Sequence, residues 1–417
     1  MLKIDFCSKF NYPNDIRRLL EKTIDALDKE GVLSVIALGS LPRGELSYRI
    51  ENGVLILFSD IELMVVTKDK ICMGKQIVFF AALNKLKKEF QKAGPLFDIT
   101  VEFVSLRDFK RLPFKVRFYD MKRSGAVIYG QDVMSEMPEF TARDLDREDT
   151  NNIILRRLLA ILLYLPKELI EKRITHSAED VFKYVLARNA MDIATVALFR
   201  KGVFLPTYRE KVEYVASHPD DFINDFGPDL PGFLTKCLGI KLRTDLGRSV
   251  TDLFGDTVGY FRSILSLILK DNGVSMDPKR GMLPLIGKSA AGTFGEKDIT
   301  RTKFELVLRS DNVSILQKRV RAVSSYSILG CMAFFLLNID GSACLFLKGD
   351  RRCLSVLDDS WWTLTRLGVM SGTEALPMDF AGRFLYLRGR FFSDFYVKFM
   401  APAMSERVTE ILAWRYE

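Results

Sequence analysis

Histidine is nearly missing from this 417-residue chain, which has only His176 and His218. The six cysteines (Cys7, Cys72, Cys237, Cys331, Cys344, Cys353) are scattered, with no C-x-x-C pair. Together these shortages argue against a Cys/His zinc site. The thiols read instead as reduced packing residues of a cytoplasmic protein. The first residues lack the basic-then-apolar signature of a signal peptide. The most apolar later run, 328–337, stops at Asn338 and Asp340, too short to cross a bilayer, so a buried helix or strand is expected there and no membrane contact. No internal repeat is visible, and no stripe concentrates lysine and arginine.

What the chain has in quantity is apolar material: 48% of its residues are hydrophobic and 31 are phenylalanine. That composition excludes a disordered chain. The length exceeds what one core organises, so two or three domains are expected. The balance of 61 basic and 53 acidic residues, net +8, suits a small anionic substrate such as a nucleotide and suits nucleic acid less well.

Periodicity divides the chain. Residues 14–30 carry apolar positions at Ile16, Leu19, Leu20, Ile24 and Leu27, a helical stripe with Asn14 as its N-cap. A strand over 33–38 runs into Gly39-Ser40. Residues 47–66 read as a hairpin turning at Glu51-Asn52-Gly53, its second strand carrying Asp60 and Glu62. A helix over 75–92 and a strand over 96–106 complete a small mixed sheet with helices on one side. From about 142 the pattern turns helical, with runs closing at Pro166, Gly202 and Gly273. Residues 276–298 hold four glycines, Pro278 and Pro284, and are the best linker candidate. A last helix is expected over 403–415. The fold class is therefore α+β: domain 1–140 with a mixed sheet, a largely helical domain 141–275, and a mostly helical C-terminal region 276–417 without a legible role.

Two acids in one apolar strand need a reason. Residues i and i+2 of a strand share a face, so Asp60 and Glu62 project together and repel unless a cation lies between them. Mg²⁺ takes one or two carboxylates plus substrate phosphates. The Gly39-Ser40 turn offers backbone amides and a hydroxyl for phosphate. An isolated D-x-E is more often a solvated edge, but the flanking Ile61, Leu63, Met64, Val65 and Val66 indicate a buried strand.

"LGSLPRGELS" at 38–47, followed by "SDIELMVV" at 59–66, resembles the signature of the polymerase β-like nucleotidyltransferase superfamily. Small-molecule members such as the kanamycin and streptomycin nucleotidyltransferases are most similar. The motif spans residues 38–66, with a longer gap than usual that the Asn-Gly hairpin accounts for, and the fold-level resemblance extends to about residue 200. The resemblance implies that Gly39, Ser40 and Arg43 contact a nucleoside triphosphate. It implies that Asp60 and Glu62 hold Mg²⁺, two ions being expected and Mn²⁺ an alternative. A third carboxylate, catalytic and metal-binding, comes from the next strand, where Asp98 and Glu102 share the right parity; "FDITV" favours Asp98 and the distance to the following helix favours Glu102. The helical domain is expected to donate Glu179 as base and Lys183 as phosphate ligand, with Asp180 an alternative to Glu179. On spacing alone, Glu179 and Lys183 at i and i+4 are a surface ion pair. Arg156, Arg157 and Arg188 are further triphosphate candidates, because guanidinium forks match phosphate oxygens.

Two motifs mislead. The run 281–292 imitates a phosphate-binding Walker loop, but five residues rather than four separate Gly281 from Gly287. Trp361-Trp362 reads as core packing. The expected function is Mg²⁺-dependent transfer of a nucleoside monophosphate from an NTP to a small-molecule hydroxyl or phosphate, with pyrophosphate release. Modification of a protein or RNA is an alternative that no basic-aromatic array demands. A nucleotide-binding scaffold that has lost turnover is the non-enzyme alternative. The sequence leaves the oligomeric state open.

Overall fold

The computed structural model describes residues 7–271 apart from 8, 91–97, 142–143, 145–146, 167–175, 243–246 and 248. The linker at 276–298, the run 328–337, the Trp361-Trp362 pair, the helix at 403–415 and the rest of 276–417 lie outside the described residues. Among the described residues, no helix is long and apolar enough to cross a membrane.

The chain forms two compact units. The first comprises Met1–Asp146 with Lys201–Glu213 and Leu238–Asp245; the second comprises Arg147–Arg200, Tyr214–Cys237 and the chain from Leu246. The described part is mixed α+β.

The first unit opens with α1, Asn14–Asp25. Its stripe of Ile16, Leu19, Leu20 and Ile24 is fully buried, as the 3.6-residue spacing requires. Asn14 is the first helical residue rather than the cap, which is Pro13 and makes no side-chain bond. The strands follow as β1 (Val32–Leu38), β2 (Tyr48–Glu51), β3 (Val54–Leu57), β4 (Ile61–Thr67), β5 (Ile99–Ser105) and β6 (Ala126–Gly130). Helix α2 (Met73–Phe90) joins β4 to β5, and α3 (Leu106–Phe109) and α4 (Val116–Ser124) join β5 to β6.

The four-stranded sheet has the order β5-β4-β1-β6, with β4 and β5 parallel and the other pairs antiparallel. Helices cover both faces, not one. Val35, Ala37, Leu63, Val65, Ile99 and Val101 pack with α1 and α2. Ile36, Leu38, Met64 and Val66 pack with Phe109, Phe118 and Met121 of α3 and α4. The Asn-Gly hairpin forms, with Asn52 and Gly53 both at positive φ (51° and 77°), the two-residue turn whose twist suits a hairpin. Its second strand ends at Leu57, so of the two acids expected in it Glu62 belongs to a new strand, β4, and Asp60 to the connection just before that strand. The break is local: the Phe58 and Ser59 amides both donate to the Ser47 carbonyl, and Ser59 Oγ accepts from the Ser47 amide.

In the second unit, α5 (Arg147–Tyr164), α6 (His176–Arg200) and α9 (Val250–Asp271) pack with α6 against the other two. Helix α6 is buried on nearly every side, with Phe182, Leu186, Ala190, Ile193 and Leu198 all at zero exposure. Between α6 and α9 in the chain lie α7 (Tyr208–Ser217) and α8 (Leu230–Lys241).

Candidate functional site

Strand β1 delivers the chain to Gly39, and β4 lies beside it with Leu38 opposite Glu62. Gly39 turns at φ 67°, a conformation that disfavours a side chain. A Cβ there would come within 3.4 Å of Glu62 Oε2, so turn and carboxylate occupy adjoining space. Glu62 is half-buried on the sheet face that also carries Met64 and Leu38. Its carboxylate has no hydrogen bond or close ion pair among the described residues; Arg43 reaches it only through charge. Nor does the Ser40 hydroxyl have a partner among them. Asp60 immediately precedes β4.

The loop after Ser40 is fixed from several directions. The Tyr12 hydroxyl donates to the Leu41 carbonyl at 2.9 Å and accepts from the Leu46 amide at 3.4 Å. Burial pushes the Tyr12 phenol well above its usual range. Glu45 is fully buried; its amide donates to the Ser40 carbonyl at 2.9 Å, and its Oε1 accepts from the Arg209 amide at 3.1 Å. Lys241, 2% exposed, donates to the Glu45 carbonyl at 2.6 Å and to Ser47 Oγ at 3.1 Å.

Arg43 sits within this frame. Its side chain is 7% exposed and lies 3.3 Å from Glu45 and 3.4 Å from Asp120, while donating to the Pro206 carbonyl at 2.9 Å. Burial works against the guanidinium charge, but Asp120, Tyr208, Glu45 and Glu62 outweigh it and hold the proton more tightly than usual. The Tyr208 ring carries Arg43, Lys211 and Lys241 around it at 5.1, 5.3 and 5.5 Å. Arg43 thus anchors the Gly-Ser loop, with little surface left for a ligand.

The two third-strand acids diverge. Met64 pairs with Glu102 across the parallel ladder, which puts Glu102 on the Glu62 face. There it meets Arg117 of α4 at 2.8 Å. Asp98 precedes β5, and its carbonyl accepts from the Ile61 amide. Its carboxylate pairs at 2.7 Å with Lys87 of α2, the helix covering the opposite face. Among the described residues no group of three or more His, Cys, Asp or Glu side chains is placed to hold a metal ion. An unpartnered Glu62 carboxylate and Ser40 hydroxyl beside one turn do supply the hard oxygen donors that Mg²⁺ or Mn²⁺ prefers.

In the second unit Glu179 and Lys183 form their ion pair at 2.8 Å. It is not a solvated one, since Lys183 is 8% and Glu179 21% exposed along the side chain. Arg157 is bound to Asp192, and Arg188 is half-buried. The side chain of Arg156 is outside those described.

Sequence reasoning missed Tyr12, Glu45, Asp120, Tyr208 and Lys241. No local pattern marks them, and Lys241 reaches Glu45 across 196 positions of chain. The chain matches no protein-family model, and no curated protein is significantly similar to it.

Proposed function

We propose that the first unit binds a nucleoside triphosphate with a divalent cation and transfers its nucleoside monophosphate to an acceptor hydroxyl or phosphate. The observation that carries this reading is the partnerless Glu62 carboxylate beside the Gly39-Ser40 turn, in a unit where Glu45, Asp98 and Glu102 are each paired. Ser40 and the turn amides would hold the β- and γ-phosphates, and Arg43 would add charge from behind the turn. Asp60 and Glu62 would hold Mg²⁺, which would supply positive charge against the phosphates and the leaving group.

In the transfer, an acceptor oxygen attacks the α-phosphorus and forms the new P–O bond. The bond to the bridging oxygen breaks, and its electron pair leaves with pyrophosphate. The acceptor proton passes to a carboxylate: Glu179 on the resemblance, or Asp98 or Glu102 once freed from its cation. A small-molecule acceptor is the leading case. The test is pyrophosphate release from each NTP with Mg²⁺ across an acceptor panel; a catalyst gives acceptor-dependent release that Glu62→Gln abolishes.

A second reading is nucleotide binding without turnover. The pairing of both candidate third carboxylates, Asp98 with Lys87 and Glu102 with Arg117, favours it. Metal-dependent NTP binding with no pyrophosphate release under any acceptor would select it.

A further inference from the structure

Residues 107–123 contain seven Lys or Arg against two acids, a net +5 in a chain whose total is +8. They span the end of α3, the connection to α4 and most of α4 itself. Arg107, Lys110, Arg111, Lys115, Arg117 and Arg123 are all exposed. Lys110 is answered by Glu136 at 2.7 Å and Arg117 by Glu102 at 2.8 Å. Arg107, Arg111 and Lys115 have no side-chain partner among the described residues. Between Arg111 and Lys115 stands Phe114, 42% exposed and seated edge-on against Phe140 at 5.0 Å.

A solitary exposed ring means little. A ring seated on a second ring and bracketed by unanswered cations is different, because it offers a π-face and phosphate ligands within a few residues. Single-stranded nucleic acid needs both: cations along its backbone and flat surfaces for unstacked bases. A duplex would use only the charge. A membrane surface would need apolar side chains to insert. Those of α4 (Val116, Phe118, Tyr119 and Met121) are already buried in the protein's own core.

We propose that residues 107–123 form a binding surface for single-stranded nucleic acid, with Arg107, Arg111 and Lys115 on phosphates and Phe114 stacked on a base. The surface stands independently of the nucleotidyl-transfer reading, since none of these residues belongs to the Gly39–Glu62 site.

The test is fluorescence anisotropy of the full chain with a fluorescein-labelled oligouridylate of about 12 nucleotides. Three phosphate contacts predict that log affinity falls with log salt at a slope of about −2. Arg111→Glu with Lys115→Glu is expected to weaken binding more than about tenfold. Phe114→Leu keeps packing on Phe140 but removes the stacking face, and is expected to cost about fivefold or more with oligouridylate and nothing with a blunt duplex. Unchanged thermal melting confirms that the variants fold. Oligouridylate binding that ignores both variants, or no binding by the wild-type chain, overturns the proposal. So does capture by phosphatidylserine vesicles, sensitive to the double variant, when oligouridylate is not bound.

Discussion

The Lys241 ammonium donates to the Glu45 carbonyl at 2.6 Å, joining a residue at the end of α8 to the loop that follows Gly39 and Ser40. Both groups are out of water, so the bond is made in a medium where leaving either partner unanswered is expensive. Lys241→Met removes the donor to the Glu45 carbonyl and to Ser47 Oγ and leaves both buried acceptors unanswered by that ammonium. We expect a loss of about 2–4 kcal/mol, read from the urea midpoint at constant slope. A change under about 0.5 kcal/mol would mean that the loop holds itself without α8.

Tyr12→Phe isolates a smaller part of the same frame. It deprives the Leu41 carbonyl and the Leu46 amide of one hydroxyl while leaving ring packing intact. The expected cost is about 1–3 kcal/mol by urea denaturation. Stability indistinguishable from wild type would show that these backbone groups find other partners.

Much of this arrangement was legible before the fold was known, and for local reasons. Asn52-Gly53 announces its turn because two successive positive φ angles demand such residues. The α1 stripe shows its buried face through spacing alone. The parity of β4 and β5 places Glu62 and Glu102 on one face. What stayed hidden is non-local. Strand β6 is only five residues long, and its pairing with β1 has no sequence signal. Helices on both faces follow from α4, whose short amphipathic run went unread. Lys241 and Tyr208 look like ordinary helix residues until the fold carries them to the loop. The seven cations of 107–123 overturn the expectation that no stripe concentrates lysine and arginine, and only the structure separates those answered by Glu102 and Glu136 from those left unanswered.

Gly39→Ala tests the turn. At φ 67° an alanine is strained by about 1–2 kcal/mol, and its methyl would crowd the Glu62 carboxylate. We expect that loss in thermal or urea unfolding together with weakened NTP binding. Ser40→Ala separates the two effects, since its hydroxyl has no partner among the described residues: NTP affinity falls and stability stays within about 0.5 kcal/mol. Stability loss with unchanged affinity would make Ser40 structural.

Cys7 and Cys72 are expected to differ in reactivity. Burial pushes the Cys7 thiol from 9.0 up to about 11, whereas Cys72 is exposed. At pH 8, iodoacetamide labelling followed by peptide mapping marks Cys72 and spares Cys7 in the folded protein. The folded Cys7 holds its proton more tightly than the unfolded thiol, so its contribution to stability is present below pH 9 and is lost as pH rises from 9 to 11. Equal labelling of the two would contradict the buried placement.

For the second unit, the base role that the resemblance implies predicts an asymmetric result. Glu179→Gln lowers kcat by about a hundredfold or more with NTP affinity nearly unchanged, while Lys183→Met weakens productive NTP binding. If the pair is only structural, both variants lose stability and neither changes kinetics per folded molecule.

The central claim is that Asp60 and Glu62 hold a divalent cation with a triphosphate at the Gly39-Ser40 turn. Thermal unfolding of the full chain with each of the four NTPs, with and without Mg²⁺, tests it most directly. At least one NTP raises Tm only when Mg²⁺ is present, because a ligand that binds the folded state stabilises it by mass action. Glu62→Gln leaves the unliganded Tm near the wild-type value, since its carboxylate has no partner among the described residues, and both it and Asp60→Asn abolish the Mg²⁺-dependent rise. A wild-type Tm indifferent to every NTP with Mg²⁺, or a rise that survives both substitutions, would contradict the account.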